Sequence, residues 1–394
     1  MMILMCPTSL RKIVPVFFLS AHRVSSLSVQ QRHHTSQRSL NVYFDSTNNL
    51  HRDIRYHPEC PERISVCVNA LNAYIAQNAN VGKSISLQDV AQDQAFFSDD
   101  ELIHARSMLV KAHSENYVEQ IERKCRDSKA RRLEEGKDTL GFIGYVDTGD
   151  TFMTTETYDV CLRATAAWIR AVDDAISSGD KAAVGFALTR PPGHHATRSL
   201  SNGFCHFNFA AAATFHAIEK GKIVSVLDWD VHYGQGVADI LQNEPKARYV
   251  SLHQYPAFPY EGERRRTSGN LNNIMTIPVA ADSTWTCGYK ELFETHVLPF
   301  LISDNDTDDT NWKPDLILVC AGYDALADDE LASVNLEPGD YGKMLALLKK
   351  WISVTYARGS EPGLAFGMEG GYRLQNEGER GLSAAFIETI KALF

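Results

Sequence analysis

Four short segments of the chain concentrate side chains that bind metal ions or move protons. They are Thr189-Arg190-Pro191-Pro192-Gly193-His194-His195, Asp228-Trp229-Asp230-Val231-His232, Ala321-Gly322-Tyr323-Asp324 and Met368-Glu369-Gly370-Gly371-Tyr372. Asp230 and His232 are two residues apart, so extended backbone puts both side chains on one face. With Asp324 they offer two oxygens and a nitrogen. That set suits zinc with a coordination position left open for water and substrate. Taken singly, Asp228-x-Asp230 reads as well as a solvated loop; His232 and Asp324 favour the metal. Adjacent histidines are uncommon in cores, because each buried imidazole needs polar partners. His194-His195, in a loop constrained by Pro and Gly, fits proton transfer; a metal-binding or structural role is the alternative for the pair alone. Gly370-Gly371-Tyr372 could be a turn followed by a core aromatic. Its place among the other segments favours a phenol that polarises a carbonyl.

Each segment follows a short apolar run, at 183–188, 223–227, 316–320 and 363–367; a further run lies at 249–252. These read as buried strands. Helical spacing of apolar residues is expected over 158–177, 209–220, 289–303 and 341–356. Alternating strands and helices imply an α/β fold with a parallel sheet covered on both faces. In such sheets ligands bind beyond the carboxyl ends of the strands, where the four segments fall. Residues 41–394 read as a single domain. The polar stretches 128–137 and 303–313 are expected to be surface loops.

The chain has 394 residues, with 39 Lys and Arg against 49 Asp and Glu, a net charge of −10. This argues against binding nucleic acid through a basic surface. No apolar run is long enough for a transmembrane helix, so no membrane partner is expected. None of the 8 cysteines forms a C-x-x-C pair; free thiols in a reducing compartment are the expectation. Residues 1–40 differ from the rest. They lack Asp and Glu, are rich in serine, and carry Arg11, Lys12, Arg23, Arg32 and Arg38. That composition matches an organelle transit peptide. A disordered tail or a signal peptide are the alternatives. The mitochondrion is the expected destination, with the plastid as alternative, or cytoplasm and nucleus if the segment is only a tail.

The chain resembles the zinc-dependent histone deacetylase superfamily, which includes acetylpolyamine amidohydrolases. The segments that carry the resemblance are His57-Pro58-Glu59-Cys60-Pro61-Glu62-Arg63, residues 190–196, Gly203-Phe204-Cys205-His206-Phe207-Asn208, residues 228–236, Ser251-Leu252-His253, residues 321–325 and residues 369–372. Tyr323 before Asp324, and Glu369 before the glycines, look like the class II and bacterial branch. The resemblance implies a three-layer arginase/deacetylase fold with a parallel sheet of about eight strands. It implies zinc on Asp230, His232 and Asp324, a base and acid pair in His194 and His195, and Tyr372 as carbonyl polariser. Gly203, Phe204, Phe258 and Gly370 would line the acyl channel, and Asp150 would hold the substrate backbone at its rim. A structural potassium ion near Asp228, Asp230, His232, Ser251 and Leu252 is also implied.

Some positions depart from the family pattern. Tyr233 stands where a second His is common, and Gln235 where Asp or Asn is common. By analogy Gln235 lies near His195. An amide supports an imidazolium less than a carboxylate does, so His195 is expected to stay neutral longer than His194, which Asp228 supports. Leu331 stands where polyamine-selective relatives carry Glu, although Glu330 is adjacent. The expected substrate is therefore an acetylated lysine peptide, with small acetylated amines as the alternative. Two rivals make different demands. A ureohydrolase with two manganese ions needs further carboxylates beside the D-x-H segment. A non-catalytic acyl-lysine-binding protein predicts lost ligands or a lost Tyr372.

Overall fold

The computed structural model describes residues 39–91, 96–147, 149–177, 183–303, 311–356, 360–374 and 380–394. Its strands, in chain order, are β1 Ser39–Phe44, β2 Ile85–Asp89, β3 Phe142–Tyr145, β4 Phe152–Thr154, β5 Ala183–Leu188, β6 Val224–Asp228, β7 Ala247–Gln254, β8 Arg266–Ser268, β9 Ile274–Val279, β10 Leu316–Ala321 and β11 Gly363–Met368. Nine of them form one sheet in the order β2-β1-β5-β11-β10-β6-β7-β9-β8, and β3 and β4 pair separately. Every neighbour in the large sheet runs parallel except β8 against β9. All five runs expected from the sequence are strands, and they stand side by side at its centre.

The central strands are buried on both faces, which is why they read as largely apolar runs. Alternate residues feed two separate apolar layers. Along β6, Leu227 joins one layer, and Val224 and Val226 join the other. The first layer is completed by helices Glu62–Gln77, Pro338–Thr355 and Leu382–Leu393, the second by Asp99–Ala112, Thr157–Ile176 and Phe209–Glu219. Helix, sheet and helix make the three layers of the arginase/deacetylase fold.

Several expectations need correction. Residues 128–134 are the last turns of helix Glu115–Glu134, not loop. Its buried residues, Tyr117, Val118, Ile121 and Cys125, all lie before residue 126. The remaining turns have charged residues all round, so no apolar stripe marks them. Residues 304–310 of the other expected loop lie outside those described. The stretch 289–301 is helical, but it widens to a π-turn over Phe293–Val297. Pro299 follows it and lacks the N–H that would bond four residues back. The boundary at 40 is also displaced: Ser39 and Leu40 belong to β1, and Leu40 is buried. Residues 1–38, which hold nearly all of the transit-peptide reading, are outside those described. Cys60, Cys67, Cys125, Cys161, Cys205 and Cys320 are free thiols. No helix among the described residues is long and apolar enough to cross a membrane.

Candidate active site

β5, β11, β10 and β6 are consecutive in the sheet, so the four chemical segments leave it side by side. They converge on Asp230, His232 and Asp324. These three are buried, with ligand atoms all within 4.8 Å of one another, and are the one group of this kind among the described residues. Backbone amides set the two carboxylates. Val231 N donates to Asp324 Oδ1 at 2.8 Å, His232 N to Asp230 Oδ1 at 2.9 Å, and Gly370 N to Asp230 Oδ2 at 2.7 Å. His232 Nδ1 faces both, 3.0 Å from Asp324 Oδ2 and 3.3 Å from Asp230 Oδ1.

This donor set fits a dication. Burial opposes charge on His232, yet the two carboxylates outweigh it and keep the imidazole protonated well above its usual range. The pocket therefore selects positive charge. The space around the carboxylates has been cleared as well. A Cβ built at Gly322 would overlap Asp230 Oδ2, and one at Gly370 would overlap Asp324 Oδ2.

His194 and His195 lie beside the cluster with ring centroids 4.0 Å apart. His194 Nδ1 is 3.0 Å from Asp228 Oδ2, and its Nε2 is 3.7 Å from Asp230 Oδ1. Burial works against its charge, but Asp230 and Asp228 raise its pKa to about 10. His195 Nδ1 is 2.6 Å from Gln235 Oε1. Burial, together with the neighbouring His194 and His232, pushes His195 well below the ordinary imidazole range. Gln235 thus sits against His195, and the two histidines differ in the sense their partners dictate.

Tyr372 is buried, its ring 5.7 Å from Phe204, with the Arg63 guanidinium 4.8 Å from the ring centre. Burial raises its phenol well above the usual range, so it remains a donor. Phe258 packs on His195 at 4.8 Å. Between them the chain must be bare: a methyl group at Gly203 would lie 2.6 Å from the His195 ring and 2.7 Å from Phe258. Gly203 also has φ of +52°, a region that favours glycine. Asp150 lies near the same face, the residue open to solvent with its carboxyl partly shielded. His57 bridges its carbonyl (2.8 Å) to Phe204 (4.7 Å). Leu331 is about one-third exposed, and Glu330 beside it accepts from the Tyr56 hydroxyl at 2.9 Å. Gly370 meets Asp230 through its amide, and a side chain on it would overlap Asp324. Of the residues named for potassium, Asp228 and Ser251 are partners across the β6–β7 register, and Ser251 Oγ lies 3.0 Å from His253 Nδ1.

Other residues surround the site to which the sequence assigned no chemical role. The Tyr249 hydroxyl donates to Asp228 Oδ2 at 2.7 Å, the oxygen that also meets His194. Glu369 Oε2 accepts from the amides of Gly193 (2.6 Å) and His194 (3.1 Å). Glu59 pairs with Arg190 and Arg63, all fully buried. Asp329 accepts from Tyr372 N. Glu59, Arg63, Arg190 and Glu369 lie in motif segments, so their signal was present without a role. Tyr249 and Asp329 gave none.

A family model described as the histone deacetylase domain matches residues 57–386. An uncharacterized protein of Synechocystis is 33% identical over 339 residues, which is 86% of this chain and 93% of that one. Histone deacetylase 10, chloroplastic, of rice (Oryza sativa subsp. japonica) is 29% identical over 90% of this chain and 73% of its own. The crystal structure of acetylpolyamine aminohydrolase from Burkholderia pseudomallei superposes with a TM-score of 0.66 at 20% identity, covering 90% of this chain and 98% of that one. At that identity the likeness speaks for the fold.

Proposed function

We infer the reaction from one premise: this chain belongs to the histone deacetylase domain family. It is a hydrolase of amide bonds. Within that class we propose that it removes acetyl groups from lysine side chains of proteins or peptides, releasing acetate. The observation that carries the reading is the buried Asp230, His232 and Asp324 cluster, flanked by His194, His195 and Tyr372.

Zinc held by Asp230, His232 and Asp324 would supply Lewis acidity, which polarises the acetyl carbonyl and makes a water acidic. The remaining work falls to the chain. Phe204, Phe258 and Gly203 enclose the apolar lysine stem and keep bulk water out. His195 has Nδ1 engaged by Gln235 and is neutral, so its Nε2 is free to accept the water's proton. His194, with Nδ1 on Asp228 and Nε2 facing Asp230, is placed to support the negative charge that develops nearby. The Tyr372 hydroxyl donates to the carbonyl oxygen as it becomes an oxyanion. An imidazolium then protonates the departing amine.

Two observations bear on the substrate. Leu331, partly exposed and tied by its amide to Asp329, is apolar, and Glu330 is engaged by Tyr56, which supports acyl-lysine. The structural neighbour named acetylpolyamine aminohydrolase supports the second reading, small acetylated amines. Comparing an acetyl-lysine peptide with acetylputrescine, with Tyr372→Phe as control, separates them. Faster cleavage of the peptide, and a Tyr372→Phe variant slower by about 10²-fold, are expected. Faster cleavage of acetylputrescine replaces the substrate. Cleavage of neither by metal-loaded protein replaces the enzyme reading with an acyl-lysine-binding one. For destination, the rice relative is named chloroplastic, which favours the plastid; the comparisons give the mitochondrion no support. A fluorescent fusion to the full chain that enters mitochondria or stays in the cytosol would refute this.

A further inference from the structure

Two loops meet behind the Tyr372 phenol. One leaves β10 and carries Asp324; the other leaves β11 and carries Tyr372. Asp329, buried between them, accepts three backbone hydrogen bonds. Its Oδ2 takes Tyr372 N at 2.8 Å and Arg373 N at 3.2 Å, and its Oδ1 takes Leu331 N at 3.1 Å. The carbonyl side of the same turn is held from the opposite direction. Arg63 Nε donates to Gly371 O at 2.8 Å, and Arg63 Nη2 donates to Glu369 O. The turn between these anchors contains Gly371 at φ of +121°, a conformation open chiefly to glycine. A residue that follows two glycines has little local stiffness of its own. What fixes the Tyr372 backbone is therefore tertiary: carbonyls on Arg63, amides on Asp329.

We propose that Asp329 is a positioning residue for Tyr372, holding the backbone that carries the phenol so that its hydroxyl meets the substrate carbonyl oxygen. The inference rests on the reading of Tyr372 as polariser. Chemistry favours a carboxylate at this point. Two amides converge on one oxygen while a third meets the other, which a group with acceptors on both oxygens can satisfy and a side-chain amide cannot. A misplacement of about 1 Å in a reacting group costs on the order of 10²-fold in rate.

A double-mutant cycle on the metal-loaded full chain tests it, with zinc content measured for every variant. In the parent, Asp329→Asn is expected to lower kcat about 10–100-fold with little change in KM, because the contact it disturbs acts in the transition state. In the Tyr372→Phe background the same change is expected to cost less than about 2-fold, since no hydroxyl remains to be positioned. An equal loss in both backgrounds, or no loss in the parent, overturns the proposal. A Tyr372→Phe variant as fast as the parent sinks the polariser reading itself, and the two failures are thereby told apart. A second measurement needs no variant. In the parent protein the amide protons of Tyr372 and Arg373 are expected to exchange slowly with deuterated water. Exchange as fast as in an unstructured peptide would show that Asp329 does not hold them.

Discussion

Gly322 has no side chain because Asp230 stands where one would be. Gly322→Ala would push the ligand carboxylate aside. Zinc affinity is expected to fall about 10–100-fold, the usual cost of disturbing the groups that orient a metal ligand. Competition with a chelator measures it, and unchanged affinity would remove Asp230 from the ligand set. Asp150 yields a pH prediction. Burial, then the hydrogen bond and charge of Asp147, push its carboxyl up to about 6. It is ionised above that value and neutral below. If the carboxylate grips substrate amides, kcat/KM falls as pH drops through 6, and Asp150→Asn shows a lower kcat/KM without that limb. A limb that persists in the variant belongs to another group. The chemistry at this scale was legible because it concentrates: two imidazoles, a D-x-H and an Asp, each placed just after an apolar run. Asp329 and Tyr249 were not legible. Nothing in a residue's type says which backbone amide or carboxylate it will meet 43 or 21 positions away along the chain.

At the level of elements, one buried carboxylate joins three stretches of chain. Glu59 Oε1 and Oε2 lie 2.6 Å and 2.5 Å from Arg190 Nε and Nη2. Arg190 Nη1 also donates to the carbonyls of Asn48 and His51, and Arg63 reaches the Tyr372 turn. Burial alone would raise the Glu59 carboxyl, but Arg190 and Arg63 outweigh it and hold it below its ordinary range. Glu59→Gln leaves two buried guanidinium groups without their counter-charge. Unfolding in urea is expected to show a loss of about 3–5 kcal/mol, with slower turnover because the His194 and Tyr372 loops share this anchor. A loss under about 1 kcal/mol would mean that the pair is not the anchor. The central strands were readable because burial on both faces makes them mostly apolar; β5, β10 and β11 contain no charged or hydroxyl side chain. Edge strands carry less of that mark: β2 is ISLQD, and β8 is RTS with two exposed residues. The last turns of helix Glu115–Glu134 look like loop in the sequence for the opposite reason, because they bury nothing.

The whole molecule depends on where its first strand begins. β1 lies between β2 and β5, so it alone connects β2 to the rest of the sheet. Its register pairs Leu40 with Val184 and Ile85, and Leu40 N donates to Ser84 O at 2.8 Å. Composition places a boundary at residue 40, because charge and serine content change there; hydrogen bonding places it before Ser39. The difference is testable. A chain that starts at residue 38 is expected to match the full chain in urea unfolding. One that starts at 42 loses a buried leucine and a ladder bond, and is expected to be less stable by about 3 kcal/mol. If the segment before β1 is removed on import, mature protein isolated from the organelle is expected to have an N-terminus at or before Ser39, which intact-mass measurement would show. A mature terminus beyond Leu40 with undiminished stability would mean that the sheet closes without this end of β1.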